Sequence, residues 1–245
     1  MSTAIGHEAP PTFADGVKIG GRKSDRAYRF IKRAIVLHEL KPNQQLREQS
    51  LARQFECSQG TVREALLRLT DDGLVARHGY QGTFVTSTSL AEVSEMVRVR
   101  ISIERRAARM ICRRPLDDVE RTTLERLLAG MDSAHRESDF FRGSELDRAF
   151  HAEIARIAGL GLLSPVLQRC ALHIHRFTLS SIEVPREFSQ ESGIGDEHRA
   201  LLNALVPATE DQAEAAIVSH LQNVLRRWAP SIYETVGAEL FKSIP

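Results

Sequence analysis

Cysteine, aromatic side chains and long apolar runs are all scarce in this 245-residue chain, which holds 3 Cys, 1 Trp and 3 Tyr. Cys57, Cys112 and Cys170 are far apart and form no CxxC pair, which excludes a thiolate zinc cluster and argues against a disulfide framework. No apolar run approaches the roughly 18 residues that span a bilayer, and the N-terminus lacks the compact apolar segment of a signal peptide. A soluble, cytoplasmic chain with reduced thiols and no membrane partner is expected. Net charge is nearly absent too, at +1, so bulk electrostatics point to no partner.

What is present is uneven. Residues 1–88 carry 13 Lys and Arg against 9 Asp and Glu, and the remainder carries 20 against 23. A basic front on a slightly acidic remainder suits a nucleic-acid reader joined to a control domain, and the length allows two ordinary domains. Residues 1–22 mix glycine, proline and polar groups without periodicity and read as a flexible tail. Over 23–86 the spacing of Tyr28, Ile31, Ala34, Ile35 and His38 predicts a helix stopped by Pro42. A second helix runs from about Glu48 to Phe55, and a third follows the turn Glu56-Cys57-Ser58, with Ser58 as its N-cap. Leu74–Arg77 then pairs with Thr83–Thr86 across a glycine-bearing connection, a small β-hairpin.

Helix, helix, tight turn, helix and hairpin make a winged helix-turn-helix, whose helix after the turn enters the major groove. Around its first turn lie Gln59, Gly60, Thr61, Arg63 and Glu64. Arg63 can fork onto guanine O6 and N7, and Gln59 can pair with adenine N6 and N7. Arg47, Gln49, Arg68 and Arg77 are candidates for phosphate, and His78, Gly79 and Tyr80 at the wing tip for the minor groove.

Ser89 and Glu92 form a capping box that opens a second, all-helical domain over 90–230, followed by a C-terminal tail over 231–245. Further helices are expected at about 116–136, 144–158, 164–182, 195–206 and 210–229, with a polar loop at 183–193. Asp147 and His151 are four residues apart on one helix and flank its apolar stripe. His198 shares a stripe with Leu201, Leu202 and Leu205, and His220 with Ala216, Ile217 and Val224. Taken singly, each is an ordinary core histidine. Together, three imidazoles and a carboxylate turned into one interior are costly unless paired, and one divalent ion satisfies all four. The mixed nitrogen and oxygen set suits zinc foremost, with nickel, manganese or cobalt also compatible. A metal-dependent enzyme and a pure metal sensor are rival uses of such a set, although no HExxH motif or obviously placed second carboxylate accompanies it.

The run Leu51-Ala52-Arg53-Gln54-Phe55-Glu56-Cys57-Ser58-Gln59-Gly60-Thr61-Val62-Arg63-Glu64-Ala65-Leu66-Leu67-Arg68-Leu69, with Asp72-Gly73-Leu74-Val75 and Gly82-Thr83-Phe84-Val85, closely resembles the GntR superfamily of transcriptional regulators. The resemblance implies that Arg63, before Glu-Ala-Leu, is a principal base contact. Two other family arginines are replaced here by Gln59 and Gln49, so the operator sequence should differ. The second half, through Arg100-x-x-Ile103-Glu104, Asp147-x-x-Phe150-His151, Glu197-His198-Arg199-Ala200-Leu201 and His220-Leu221, resembles the FCD ligand-binding domain of the FadR subfamily. That resemblance implies a helical bundle, a homodimer on a near-palindromic operator of double-stranded DNA, a metal held by Asp147, His151, His198 and His220, and a small carboxylate effector. Arg100 would pair with the effector, and Arg176, His173 and His175 on the 164–182 helix are further cavity candidates. The expected activity is non-enzymatic: a repressor released by its effector.

Overall fold

The structure is a computed structural model that describes residues 22–181 and 194–241. The expected tail, apart from Arg22, and the loop at 183–193 lie outside the described residues. The chain divides into two compact units, Met1–Ser87 and Thr88–Pro245.

In the first unit, α1 (Lys23–Val36) buries Ala27, Ile31, Ala34 and Ile35 completely, at the i, i+4, i+7, i+8 spacing of one helical face. That face packs on α3 (Gln59–Asp71) through Val62, Ala65, Leu66 and Leu69, with α2 (Glu48–Gln54) alongside. The first helix ends at Val36, earlier than Pro42 suggested. His38 takes a left-handed backbone (φ 58°), so it lies beyond the helix and not on its inward face. Glu56, also left-handed (φ 49°), makes the tight turn before α3, and Ser58 accepts from the Thr61 amide as N-cap.

Strands β1 (Gln45–Leu46), β2 (Val75–Arg77) and β3 (Thr83–Val85) form an antiparallel sheet in the order β1-β3-β2, with Phe84 opposite both Gln45 and Ala76. The strand β1 was not expected: two residues are too few to show an alternating pattern. The wing connection carries a single 3-10 turn, Gly79–Gln81, and returns through Gly82 at φ 102°.

The second unit is a helical bundle: α4 (Leu90–Ile111), α5 (Asp118–Arg136), α6 (Phe140–Ile157), α7 (Ser164–Ser181), α8 (Ile194–Leu205), α9 (Glu210–Trp228) and α10 (Pro230–Val236). Reciprocal capping boxes, Ser89 with Glu92, Asp117 with Glu120 and Thr209 with Gln212, fix where α4, α5 and α9 begin. The long α4 lies centrally and packs on α6, α7, α9 and α10, so every helix that bears a candidate ligand is braced against it or its neighbours. Helix α6 starts four residues before the expected 144, because Asp139 caps it by accepting from the Arg142 amide. The stretch from 231 is not a tail in its described part: α10 buries Ile232 and Val236, and Phe241 follows them into the core. Among the described residues no helix is long and apolar enough to cross a membrane.

Candidate metal centre and nucleic-acid interface

Three helices deliver imidazoles to one point. His151 from α6, His198 from α8 and His220 from α9 each offer a ligand atom, and these atoms all lie within 4.8 Å of one another. His151 Nε2 and His198 Nε2 stand 3.3 Å apart. Asp147, one turn before His151, puts Oδ1 2.9 Å from His198 Nε2 and 3.7 Å from His151 Nε2. The four residues singled out in the sequence are therefore neighbours in space. Phe150 is fully buried and stands edge-on to both His151 and His198, with ring centroids 5.6 and 5.2 Å away, which fixes the two rings sterically.

The far nitrogens of two imidazoles are committed elsewhere. His151 Nδ1 lies 2.5 Å from Glu104 Oε2, and His198 Nδ1 donates to the Ile194 carbonyl at 2.7 Å. A carbonyl only accepts, so His198 Nδ1 carries the proton and its Nε2 is the atom left to bind a cation; the Glu104 carboxylate beside His151 Nδ1, close but not in hydrogen-bond geometry, favours the same tautomer there. Glu104 is itself held by Arg100, whose Nε donates to Oε1 at 2.6 Å. Both are buried, and Arg100 Nη2 lies 3.8 Å from Asp147 Oδ2. Arg100 is thus a buried ion-pair partner. The role of Glu104 was missed, although its place four residues after Arg100 on a buried stripe was a usable signal.

Electrostatics follow from this crowding. Burial opposes ionisation of Glu104, yet His151 and Arg100 outweigh it and hold the carboxyl at about 2. Burial likewise opposes ionised Asp147, but His175 and His151 keep it well below the usual carboxylate range. For His198, burial disfavours the charge and the Asp147 carboxylate more than compensates, so its pKa is raised. His220 is driven well below its ordinary value by burial and by the charges of His198 and His151. The raised pKa of His198 reflects a buried spot where the Asp147 carboxylate favours positive charge. The donor set fits a divalent ion: nitrogen lone pairs and a carboxylate oxygen aimed at one spot, with the far nitrogens of His151 and His198 already oriented.

Beside these residues lies a cavity of about 120 Å³, mostly apolar, lined by Val97, Ile174, Leu221 and Trp228 among others. Its polar wall is Arg100, Asp147, His175, Glu197 and His198, with Ser144 and Thr178. His175 belongs here, its Nε2 3.1 Å from Asp147 Oδ2, and burial lowers its pKa against the pull of that carboxylate. Arg176 does not line the cavity. It follows His175 on α7 and so points some 100° away around the helix; it is 2% exposed, and burial lowers its pKa to about 10. His173 is also turned aside, its Nδ1 3.4 Å from Thr88 Oγ1.

In the first unit the exposed side of α3 presents Gln59, Gly60 and Arg63, with Ser58 and Thr61 tied together at 2.8 Å. Arg63 is exposed and forked onto Glu48 of α2, with Nη2 to Oε2 at 2.8 Å and Nε to Oε1 at 3.2 Å. Gln49 and Arg47 are exposed nearby, Arg47 donating to Gln45 at 3.2 Å. Arg77 is exposed on β2. At the wing tip Tyr80 is fully exposed and His78 rests edge-on against Phe84. Two side chains depart from expectation. Arg68 pairs with Asp25 at 2.6 Å and lies over the Tyr28 ring, so it braces α1 to α3. Glu64 accepts from Ser24, which turns it toward α1.

Residues 23–85 match the bacterial regulatory proteins of the gntR family, and residues 95–223 match the FCD domain. Among curated proteins, the chain is 27% identical over 205 residues to the HTH-type transcriptional repressor RspR of Escherichia coli K12, covering 82% of this chain and 86% of that one. It is 28% identical over 205 residues to the HTH-type transcriptional regulator LutR of Bacillus subtilis, covering 76% and 92%. Among solved structures, McbR/YncC of E. coli superposes with a TM-score of 0.66 at 20% identity, over 89% of this chain and all of that one, a likeness of fold. With both halves matched, the chain belongs to the gntR family of bacterial transcriptional regulators and carries an FCD ligand-binding domain behind its DNA-binding domain.

Proposed function

We propose that this regulator is a homodimeric repressor released from a near-palindromic operator when a small organic acid enters the cavity beside a divalent metal held by Asp147, His151, His198 and His220. One observation carries the reading: four ligand-type side chains from three helices converge, and two of them, Asp147 and His198, line a cavity that also holds Arg100. A divalent ion there supplies a Lewis-acidic cation for a carboxylate oxygen, with zinc the first choice and nickel, manganese or cobalt compatible. The chain's own residues do the rest. Glu104 and the Ile194 carbonyl favour the tautomers that leave Nε2 to a metal, Arg100 offers a second positive charge, and the mostly apolar wall strengthens charge pairing beside it.

In the DNA-binding unit, Arg63 and Gln59 are assigned to base edges, Ser58, Thr61, Gln49, Arg47 and Arg77 to the backbone or adjoining bases, and His78 and Tyr80 to the minor groove. Their exposure on α3, α2 and the wing supports the assignment. Effector occupancy needs to shift DNA affinity by only about 1–3 kcal/mol to alter it severalfold to a hundredfold. The test titrates labelled operator DNA with the protein, with and without candidate acids, before and after chelation. Release by an acid that requires the metal supports the reading. DNA affinity indifferent to every acid removes the sensing claim.

A further inference from the structure

Two of the three imidazoles are sealed: His151 and His198 are each 2% exposed, while His220 is only half-buried. His220 also faces a different space. It lines a surface groove of about 450 Å³ between α8 and α9, whereas Asp147 and His198 line the cavity. The candidate ligands therefore stand in the wall between two spaces. On α8 the groove is lined by Glu197, Ala200, Leu201 and Ala204, at i, i+3, i+4 and i+7. Opposite them on α9 stand Ala216, His220 and Arg227, at i, i+4 and i+11. The small alanines leave room that longer side chains would fill.

Glu197 lines both the groove and the cavity. Its Oε1 accepts from Arg227 Nη1 at 2.7 Å, with the arginine 30% and the glutamate 28% exposed. An ion pair this exposed is weakly held and opens at little cost. Arg227 also lies over the Trp228 ring, 4.6 Å from its centroid, which gives the guanidinium a seat when it leaves the carboxylate. A divalent ion crossing the mostly apolar cavity sheds its water with little in return, whereas along the groove Glu197 and His220 replace that water one ligand at a time.

We infer that the groove between α8 and α9 is the loading route of the metal centre, with Glu197 as the receiving carboxylate, Arg227 as the gate that covers it, and His220 as the ligand that hands the ion inward. This rests on the reading of Asp147, His151, His198 and His220 as a metal centre. The gate works by charge: a carboxylate at the mouth draws cations, and the arginine seated on it turns them away until it swings aside.

The test loads zinc into the full-length, metal-free protein by stopped flow, read by the fluorescence of Trp228, the chain's one tryptophan, and by a competing chromophoric chelator. Glu197→Gln should slow association about tenfold and Arg227→Gln should speed it about fivefold. Ala200→Phe, which fills the groove at an exposed position, should slow association and release together and leave equilibrium affinity unchanged. Glu197→Asp, which keeps the charge, should recover part of the lost rate and guards against a variant that merely unfolds. Association rates unchanged in all of these variants overturn this inference and spare the metal reading. So does an affinity loss in Glu197→Gln carried wholly by faster release, which makes Glu197 a holder of the bound ion and not its entry point. Failure of the wild-type protein to bind zinc at equilibrium overturns both.

Discussion

Replacing Glu104 by Gln tests the logic of the centre at its least visible point, because Glu104 is 3% exposed and would touch neither metal nor effector. The carboxylate holds Arg100 at 2.6 Å and faces His151 Nδ1 at 2.5 Å. Neutralising it leaves a buried guanidinium whose next anion is Asp147 at 3.8 Å. Breaking a buried pair from one side costs about 3–5 kcal/mol, and the amide, which keeps the volume and one acceptor, should fall near the lower figure. A second route gives a similar size: depression of the carboxyl from 4.5 to about 2 corresponds to about 3 kcal/mol of favoured ionisation. The sign follows. A carboxyl with a lowered folded-state pKa stabilises above about pH 4.5 and loses that contribution as pH falls toward 2, so the gap between wild type and variant should close over that window. Zinc affinity should also drop by about 10- to 100-fold, because the tautomer of His151 is no longer enforced. Urea denaturation of the metal-free protein at several pH values, with competitive zinc titration at neutral pH, reads both effects. Metal-free stability within about 0.5 kcal/mol of wild type, together with unchanged zinc affinity, would refute the assignment.

Arg63→Ala should cost about 1–3 kcal/mol of operator binding while leaving thermal stability unchanged, since the side chain is exposed; fluorescence anisotropy beside a melting curve separates the two. Gly195→Ala should destabilise by about 1–3 kcal/mol, because an added Cβ meets Asp132 Oδ1 at 1.8 Å and the Leu128 carbonyl at 3.1 Å; an unaltered melting curve would contradict the packing. Phe150→Leu should weaken zinc binding more than it weakens folding, since the ring braces His151 and His198, and equal losses would show a purely structural role. With its pKa raised, the His198–Asp147 pair stabilises the metal-free domain fully below the unfolded-state value and loses that contribution as pH rises through the folded one. Metal uptake below the folded value should therefore release a proton, which calorimetry in buffers of different ionisation enthalpy detects.

The sequence carried much of this because its signals were periodic or local. Leu201, Leu202 and Leu205 mark the inward stripe of α8 on which His198 sits, and the Ser89 and Thr209 capping boxes mark two helix starts. Features decided by tertiary contact were hidden. The two residues of β1 become a strand only because β3 lies beside them, and α10 is too short to show periodicity although Pro230 opens it and Ile232 and Val236 point into the core. The difference between His175, which lines the cavity, and Arg176, which does not, is one residue of helical phase, finer than an unaligned reading of α7 resolves.

The fork between Arg63 and Glu48 has a consequence for how a groove is searched. An arginine already seated on a carboxylate reaches a base by exchanging partners, so the net reward is the difference between two bidentate contacts. A backbone phosphate can also take the fork through its two free oxygens but is the same at every step, whereas guanine, with O6 and N7 side by side, matches what is given up only where that base stands. The carboxylate next door thus acts as a threshold: it keeps the reading residue indifferent to most of the duplex and lets it commit where the edge geometry is right.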